Sequence, residues 1–517
     1  MKPMGGRLYE SIRFACSVSS KVITMSIKTT HRTGFRRVIC DLRRQPTPFL
    51  LFTAYKTFAI LLFLQGFFFS DAFEIAGDAT IPVSALFLLV CAAVFLFFAL
   101  RFKRITIVDK DGYLWALAVS MTLGSFFLFV EGQSDMAHEG IRTIVFGAGI
   151  ALLAVGTVGI HIELGRFFGM LGMMPTMTYG IASGLAAGIA SLILTLLGPM
   201  VCWLLAFVMP ALIVVLFRCA RLSAFPNQCA LYRESTIELL IPYRFLATSV
   251  TQGLALGIPL GFASASGVFF QELDAASYVV AAILAFLTVL TFQMDFNQSI
   301  YQIGFPLAGA GLLAAGLLGP SSPTAVFLQT AGFLYLDLVL WGLGSYLIKN
   351  CDQPATWLAS CPSAALMTGR AFGIMIGAIA LHELSNEGEV MAFFCGLAFL
   401  MLIMALVLNK GSNLRTGWGF VRPGDPDEAA DSLRTCEVVA QEFGLTPREQ
   451  QIMHSIISGQ SRKEIATDLF VAPNTIKTHM HNLYGKLDVH SEAELKAFIA
   501  KRERMFASEI SSDPVSE

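Results

Sequence analysis

Gly444-Leu445-Thr446-Pro447-Arg448-Glu449-Gln450, then Ser461-Arg462-Lys463-Glu464, then Pro473-Asn474-Thr475-Ile476-Lys477-Thr478-His479: these stretches decide the fold of the last part of the chain. Thr446 suits a helix N-cap, Pro447 the first helical position, and Glu449 lies where its carboxylate reaches back to the cap N–H. A helix therefore starts at Pro447, with Ile452, Ile456 and Ile457 as its apolar face and Ser458-Gly459-Gln460 as its end. Ser461 and Glu464 repeat the device and open a second, short helix with Ile465, Ala466 and Leu469 turned inward. After Phe470-Val471-Ala472, Pro473 opens a third helix reaching about Leu487. Its buried stripe is Ile476, Leu483 and Leu487, while Lys477, Thr478 and His481 fall on another face. Ser491-Glu492-Ala493-Glu494 signals a fourth helix, whose apolar side is Leu495, Phe498 and Ile499.

A short helix, a tight turn and a helix with a polar outer face form a helix-turn-helix, whose second member enters the DNA major groove. Residues 473–487 carry Lys477, Lys486, His479 and His481 and no acid, as a surface facing phosphates requires. The run from Leu445 to Arg502 resembles the LuxR/NarL-type helix-turn-helix domain. The resemblance lies in Leu-Thr-Pro-Arg-Glu, Gly-Gln-Ser-Arg-Lys-Glu-Ile-Ala, Asn-Thr-Ile-Lys-Thr-His and Tyr-Gly-Lys-Leu-Asp-Val-His-Ser. It implies that DNA is a partner, that Lys477, Thr478 and His481 face base edges, and that Thr475, His479 and Lys486 lie nearer the phosphates. It also implies that Glu449 braces the fold and that the fourth helix pairs with its counterpart in a homodimer. Two residues depart from the family pattern. Ala472 stands where a serine cap is usual, forfeiting about 1 kcal/mol, and Gly485 sits inside the third helix, where glycine costs up to ~1 kcal/mol relative to alanine.

Working outward, the rest of the chain is of another kind. It has 517 residues, 55% hydrophobic and 14% charged, with 43 Phe, and a mean hydropathy of +0.65. Soluble domains carry roughly 25% charged residues, so most of this chain is expected to face lipid. The net charge of -1 averages over unlike segments and says nothing of partners. The ten cysteines form no Cys-x-x-Cys and have no histidine at metal spacing, so reduced thiols are expected, with no metal site and no cofactor.

From Pro48 to Leu408 the sequence is a train of apolar stretches near the ~20 residues that a membrane-crossing helix needs. They fall at 48–70, 81–100, 112–131, 143–162, 177–196, 200–217, 245–265, 276–294, 300–319, 324–348, 364–383 and 390–408. Twelve crossings put both ends on one side, and the loop charges agree with that count. Alternate loops hold Arg101, Lys103, Arg104 and Lys110, then Arg218, Arg221, Arg233 and Arg244, then Lys349, then Lys410, Arg415 and Arg422. The others hold Asp71, Glu74, Asp78, Asp135, Glu139, Glu272, Asp274, Glu387 and Glu389. Both termini are therefore expected in the cytoplasm of a bacterial cell, with the chain in the inner membrane. The long polar loop at 218–244 divides the spans six and six. That arrangement resembles the major facilitator superfamily, which implies two six-helix bundles facing a central cavity. The family's Gly-x-x-x-Asp-Arg-x-Gly-Arg loop motif is not matched by Arg101-Phe102-Lys103-Arg104-Ile105.

Ionisable residues inside spans are costly, and so are candidates for function. Lys56, Asp337 and Arg370 are the candidates for ligand binding or coupling. Asp337 and Arg370 are of opposite charge at similar depth, so they are expected to be able to pair, either for packing or for a ligand; Lys56 is long enough to snorkel. Glu131, Glu163, His382 and Glu383 fall at span ends, where solvation is expected. Gly180, Gly184 and Gly188, and Gly369, Gly373 and Gly377, point to close helix contact.

The expected fold class is all-α: a polytopic membrane helix bundle followed by a small four-helix helix-turn-helix domain. The expected divisions are a basic arm at 1–46, a twelve-helix membrane sensor at 47–409, a linker and lead-in helix at 410–442, the DNA-binding domain at 443–506 and a disordered tail at 507–517. No soluble α/β segment precedes residue 410 to house the phospho-receiver that many relatives of this domain carry, so signal is expected to arrive through the membrane part or the linker. No catalytic residue is expected, since the chain shows no phosphate-cradling glycine loop, no Gly-x-Ser-x-Gly elbow and no His-Glu-x-x-His. The expected function is a membrane-embedded one-component transcriptional regulator that senses a ligand or a membrane signal and binds DNA, with the lipid bilayer and a small-molecule ligand as further partners. The alternative is a secondary transporter with a fused regulatory domain.

Overall fold

A backbone in hydrocarbon has no water to bond, so each crossing has to satisfy its own N–H and C=O groups, which a helix does. The computed structural model describes residues 42–43, 45–63, 72–74, 80–101, 111–133, 139–197, 199–224, 243–265, 271–350, 354–384, 386–409, 422–423, 435–436, 439–440, 442–457, 462, 465–466, 469 and 472–511. The twelve expected crossings each coincide with a described helix. They are α1 (Pro46–Phe63), α2 (Val83–Arg101), α3 (Asp111–Gln133), α4 (Glu139–Leu171), α5 (Met173–Leu197), α6 (Pro199–Ala224), α7 (Tyr243–Ala265), α8 (Gln271–Ala285), α9 (Phe305–Leu318), α10 (Pro323–Asn350), α11 (Ala355–Glu383) and α12 (Glu387–Leu408). Ten of the described helices are long and apolar enough to cross a membrane, and two shorter apolar segments, Pro46–Leu62 and Ala275–Thr291, occupy the first and eighth places. Two π-helical segments, Phe286–Thr291 and Gln298–Gly304, continue α8 and lead into α9. The one sheet among the described residues is a hairpin of two three-residue antiparallel strands, β1 (Ala72–Glu74) and β2 (Thr80–Pro82).

The buried side chains divide in two. One core is drawn from α1 to α4 and α6, the other chiefly from α5 and α7 to α12. The halves meet where α2 packs on α11 and α5 on α8. Outward faces carry bare apolar side chains, such as Leu196 at 80%, Met200 at 72% and Leu406 at 70% exposure, which only lipid makes tolerable.

The glycine expectation is met most fully at α11. Gly369, Gly373 and Gly377 lie against the backbone of α7, and the sequence reading missed their counterparts Gly253, Gly257 and Gly261, which lie against the backbone of α11. A Cβ on Gly373 would stand 2.9 Å from Gly257 Cα, so the crossing is closed by two matched small-residue stripes. In the other stripe, a Cβ on Gly188 would meet the Ala275 carbonyl on α8 at 2.9 Å.

The soluble part has its own core of Cys436, Val439, Ala440, Leu445, Ile452, Met453, Ile456, Ile465, Ala466, Ile476, Met480, Leu483, Leu487, Val489, Leu495 and Ile499. Its described helices are α13 (Pro447–Ile457), α14 (Pro473–Leu487) and α15 (Glu492–Ser511). Helix α15 runs five residues into the stretch expected as a tail. The basic arm up to residue 41, most of the linker, and the second capping box at Ser461 and Glu464 lie outside the described residues.

Candidate nucleic-acid interface and membrane cavity

Helix α14 is set by its apolar stripe. Ile476, Met480, Leu483 and Leu487 are buried, which turns Thr475, Lys477, Thr478 and His481 outward as exposed residues and leaves His479 half-buried. The N-cap is Ala472, with no side-chain cap hydrogen bond, as expected of a residue without an acceptor. Gly485 faces open space, and Asp488 ends the helix in a left-handed conformation with φ 53°. The exposed first turn thus joins a lysine, two threonines and the positive end of the helix dipole on one surface.

The sixth candidate, Lys486, is placed differently. Its Nζ lies 2.8 Å from Glu449 Oε2 and donates to the Gly444 carbonyl at 3.0 Å, so its ammonium ties α14 to the start of α13. Glu449 also closes the capping box: Thr446 N donates to its carboxylate at 2.8 Å, and Glu449 N donates to Thr446 Oγ1 at 3.4 Å. Burial alone would raise the Glu449 pKa, but the hydrogen bonds from Lys486 and Thr446 outweigh it and hold the carboxyl below its usual range. Farther along α13, His454 is buried, and burial pushes its pKa down to about 4.

The apolar side of α15 is consumed within the chain. Leu495 and Ile499 are buried in the domain core, and Phe498 packs edge-on to Phe443 with ring centroids 5.9 Å apart. Arg502 lies over both rings and bonds Glu442 at 2.8 Å. A dimer contact through α15 is left with its other faces, where Ala493, Glu494, Lys496 and Ala497 are exposed.

In the membrane part, a cavity of about 80 Å³ lies between the halves, lined by His161 from α4, Ser249 and Gln252 from α7, Asp337, Trp341 and Ser345 from α10, and Ser363 from α11, among others. The partner of Asp337 is Lys56 on α1, at 3.7 Å, so the pair crosses from one half to the other. This corrects two expectations. Lys56 does not snorkel, being only 4% exposed, and its ammonium also lies 4.8 Å from the centre of the Phe52 ring. Arg370 is buried on α11 with its guanidinium over the Phe333 ring, 5.9 Å from the centroid, and does not take Asp337 as its ion-pair partner.

A second tie crosses the same gap. Tyr55 and His161 Nδ1 are 2.5 Å apart, and His161 Nε2 and Ser363 Oγ are 3.0 Å apart. The sequence reading missed His161, because the fourth crossing was expected to end at 162 and the helix runs on to Leu171. Glu163, expected in solvent, is buried and paired with buried Arg166 at 2.7 Å; Glu131 pairs with Arg142 at 2.7 Å, while His382 and Glu383 are exposed as expected.

Residues 444–499 match the family described as bacterial regulatory proteins, luxR family. Over 59 residues the chain is 41% identical to an uncharacterized transcriptional regulatory protein, YhcZ, of Bacillus subtilis, covering 11% of this chain and 28% of that protein. Over 61 residues it is 44% identical to a probable transcriptional regulatory protein, NarL, of Mycobacterium tuberculosis, covering 12% of this chain and 28% of that one. The chain thus spans little more than a quarter of the length of these relatives. Among solved structures, a bacterial homologue of the iron transporter ferroportin is similar at a TM-score of 0.46 and 15% identity, covering 70% of this chain and 97% of that one. The Escherichia coli fucose:proton symporter FucP is similar at a TM-score of 0.44 and 12% identity, covering 72% and 98%. The last domain of this multi-pass membrane protein is a luxR-type helix-turn-helix.

Proposed function

We propose that the chain is a one-component transcription regulator of the bacterial inner membrane, with both termini cytoplasmic, that reads a small molecule in its helix bundle and answers through DNA. The observation that carries this reading is the union, on one chain, of a luxR-type domain and a membrane bundle whose cavity, with Asp337 and His161 in its wall, lies between its halves. Lys477, Thr478 and His481 contact base edges, and Thr475 and His479 lie along the phosphates. Lys486 contributes charge there while bracing Glu449. Asp337 and Lys56 are the ligand or coupling residues, and Arg370 supports the same region from α11.

Coupling requires a ligand that favours one arrangement of the halves over the other. The Lys56–Asp337 tie is suited to that, since it spans the gap. A route outward begins at Arg244 on α7, which donates to the carbonyl of Leu408, the last residue of α12 before the linker. Genome-wide mapping of DNA bound by the full chain tests the reading. Discrete occupied sites support it, and an even background indistinguishable from a strain lacking the protein contradicts it.

The cavity between two halves also favours a second reading, a secondary transporter whose cycle reports to the fused domain. Uptake into proteoliposomes separates the two: gradient-driven accumulation of a ligand that also alters DNA occupancy supports the transporter, and binding without accumulation supports the sensor.

A further inference from the structure

The serine hydroxyls of the cavity wall have spent their protons elsewhere. Ser249 Oγ donates to the Phe245 carbonyl at 2.9 Å, Ser345 Oγ to that of Phe168 at 2.7 Å and Ser363 Oγ to that of Ala359 at 2.8 Å. A hydroxyl has one proton, so these serines offer the cavity only lone pairs, and Ser345 also shares a bond with Thr176 Oγ1 at 2.9 Å. With the Ser363 proton so committed, His161 donates from Nε2 to Ser363 and accepts from the Tyr55 hydroxyl at Nδ1; this tautomer is assigned from the bonding pattern. Both ring nitrogens are then used.

Gln252 adds an acceptor. Its Nε2 donates to the Phe333 carbonyl at 3.1 Å, which fixes the amide, and its buried Oε1 has no hydrogen-bond partner among the described residues. Leaving a buried acceptor unpaired costs roughly 1–3 kcal/mol, so a ligand that donates here has an advantage. Asp337 adds charge. Its side chain is 25% exposed against 6% for Lys56, so the carboxylate is the more open member of a pair that, at 3.7 Å, is longer than a charge-assisted hydrogen bond.

We infer that this cavity takes a small primary ammonium ion, with Asp337 as its counter-charge and Gln252 Oε1 and the serine oxygens as acceptors. An ammonium group is compact and carries three donors, which matches a few acceptors set in a mostly apolar wall around a cavity of about 80 Å³. It also competes with the Lys56 ammonium for Asp337, so loading loosens the tie between the halves. The inference rests on the reading of this cavity as the ligand site.

The test is thermal unfolding of the full-length protein in detergent, titrated with ethylammonium, acetate or ethanol at constant ionic strength. Ethylammonium is expected to raise the melting temperature saturably, and acetate and ethanol are not. Asp337→Asn strips Lys56 of its partner and lowers stability by itself, so Gln252→Leu is the second variant, keeping the ion pair and removing one acceptor. Its half-saturating ethylammonium concentration is expected to be about tenfold higher, the loss of one hydrogen bond to a charged group. Equal protection by acetate or ethanol, no protection by ethylammonium, or an unchanged Gln252→Leu titration would each overturn the assignment. DNA occupancy measured in parallel separates this from the regulator reading. Saturable protection with unaltered DNA binding supports the ligand class and contradicts the sensor, whereas DNA binding without protection contradicts the ligand class alone.

Discussion

The soluble domain and the membrane bundle each hold an ion pair at a strategic crossing, and the two are built differently. Lys486 and Glu449 meet at 2.8 Å, with the Gly444 carbonyl and the Thr446 N–H completing the shell. Lys56 and Asp337 stand 3.7 Å apart beside a cavity, and they join helices from opposite halves. The first is reinforced by two further hydrogen bonds at the same crossing, which is how a pair fixes one geometry. The second leaves acceptor capacity unused, so it holds the halves together while remaining open to exchange. The same chemistry therefore serves as a brace in one region and suits a releasable tie in the other.

The contrast is broken most forcefully at Asp337. Asp337→Asn leaves the Lys56 ammonium buried without its counter-charge, with an expected loss of about 3–5 kcal/mol, whereas Lys56→Met with Asp337→Leu recovers most of it. Melting of the purified protein in detergent reads both, and equal melting temperatures for the single and double variants would show that the residues do not act as a pair. His454 comes next. Its folded pKa, about 4, lies below the unfolded value of about 6.5, so the unfolded state takes up the proton first as pH falls. The soluble domain should lose on the order of 3 kcal/mol between pH 6.5 and 4 from this group. Pulse proteolysis across that range should show a steep loss in the wild type and a shallower one in His454→Gln.

Glu449→Gln removes the charge from the brace, and about 2 kcal/mol of domain stability is expected to go with it. Because the Glu449 pKa is held low, its contribution is present at neutral pH and lost as pH falls through the carboxylate range, so the variant should also be less sensitive to acid there. A double-mutant cycle with Lys486→Met is expected to show coupling, and additive losses would argue against the brace. The smallest effect is a gain. Ala472→Ser supplies the missing cap of α14 and is expected to stabilise by about 1 kcal/mol.

The helix-turn-helix was legible because its signals are local. Thr446 and Glu449 cap the same helix three residues apart, and Ile476, Leu483 and Leu487 mark one face of another. The crossings were legible because lipid imposes a length on every apolar run. Their ends were less so. Glu163 read as the end of a span, yet it and Arg166 neutralise one another one turn apart and allow α4 to continue, which hid His161. The choice of Lys56 over Arg370 for Asp337 depends on how α1, α10 and α11 are rotated across the bundle, which hydropathy does not encode. Lys486 carries the same charge whether it touches phosphate or Glu449, and only the fold distinguishes these roles.

The central claim, that α14 brings this membrane chain to DNA, is tested most directly by the salt dependence of DNA binding by the full-length protein in lipid nanodiscs. Wild type and Lys477→Ala should both weaken linearly in log affinity against log salt, with the variant weaker, less selective for its site and shallower in slope by about 1. Identical affinity, selectivity and slope for the two proteins would contradict it.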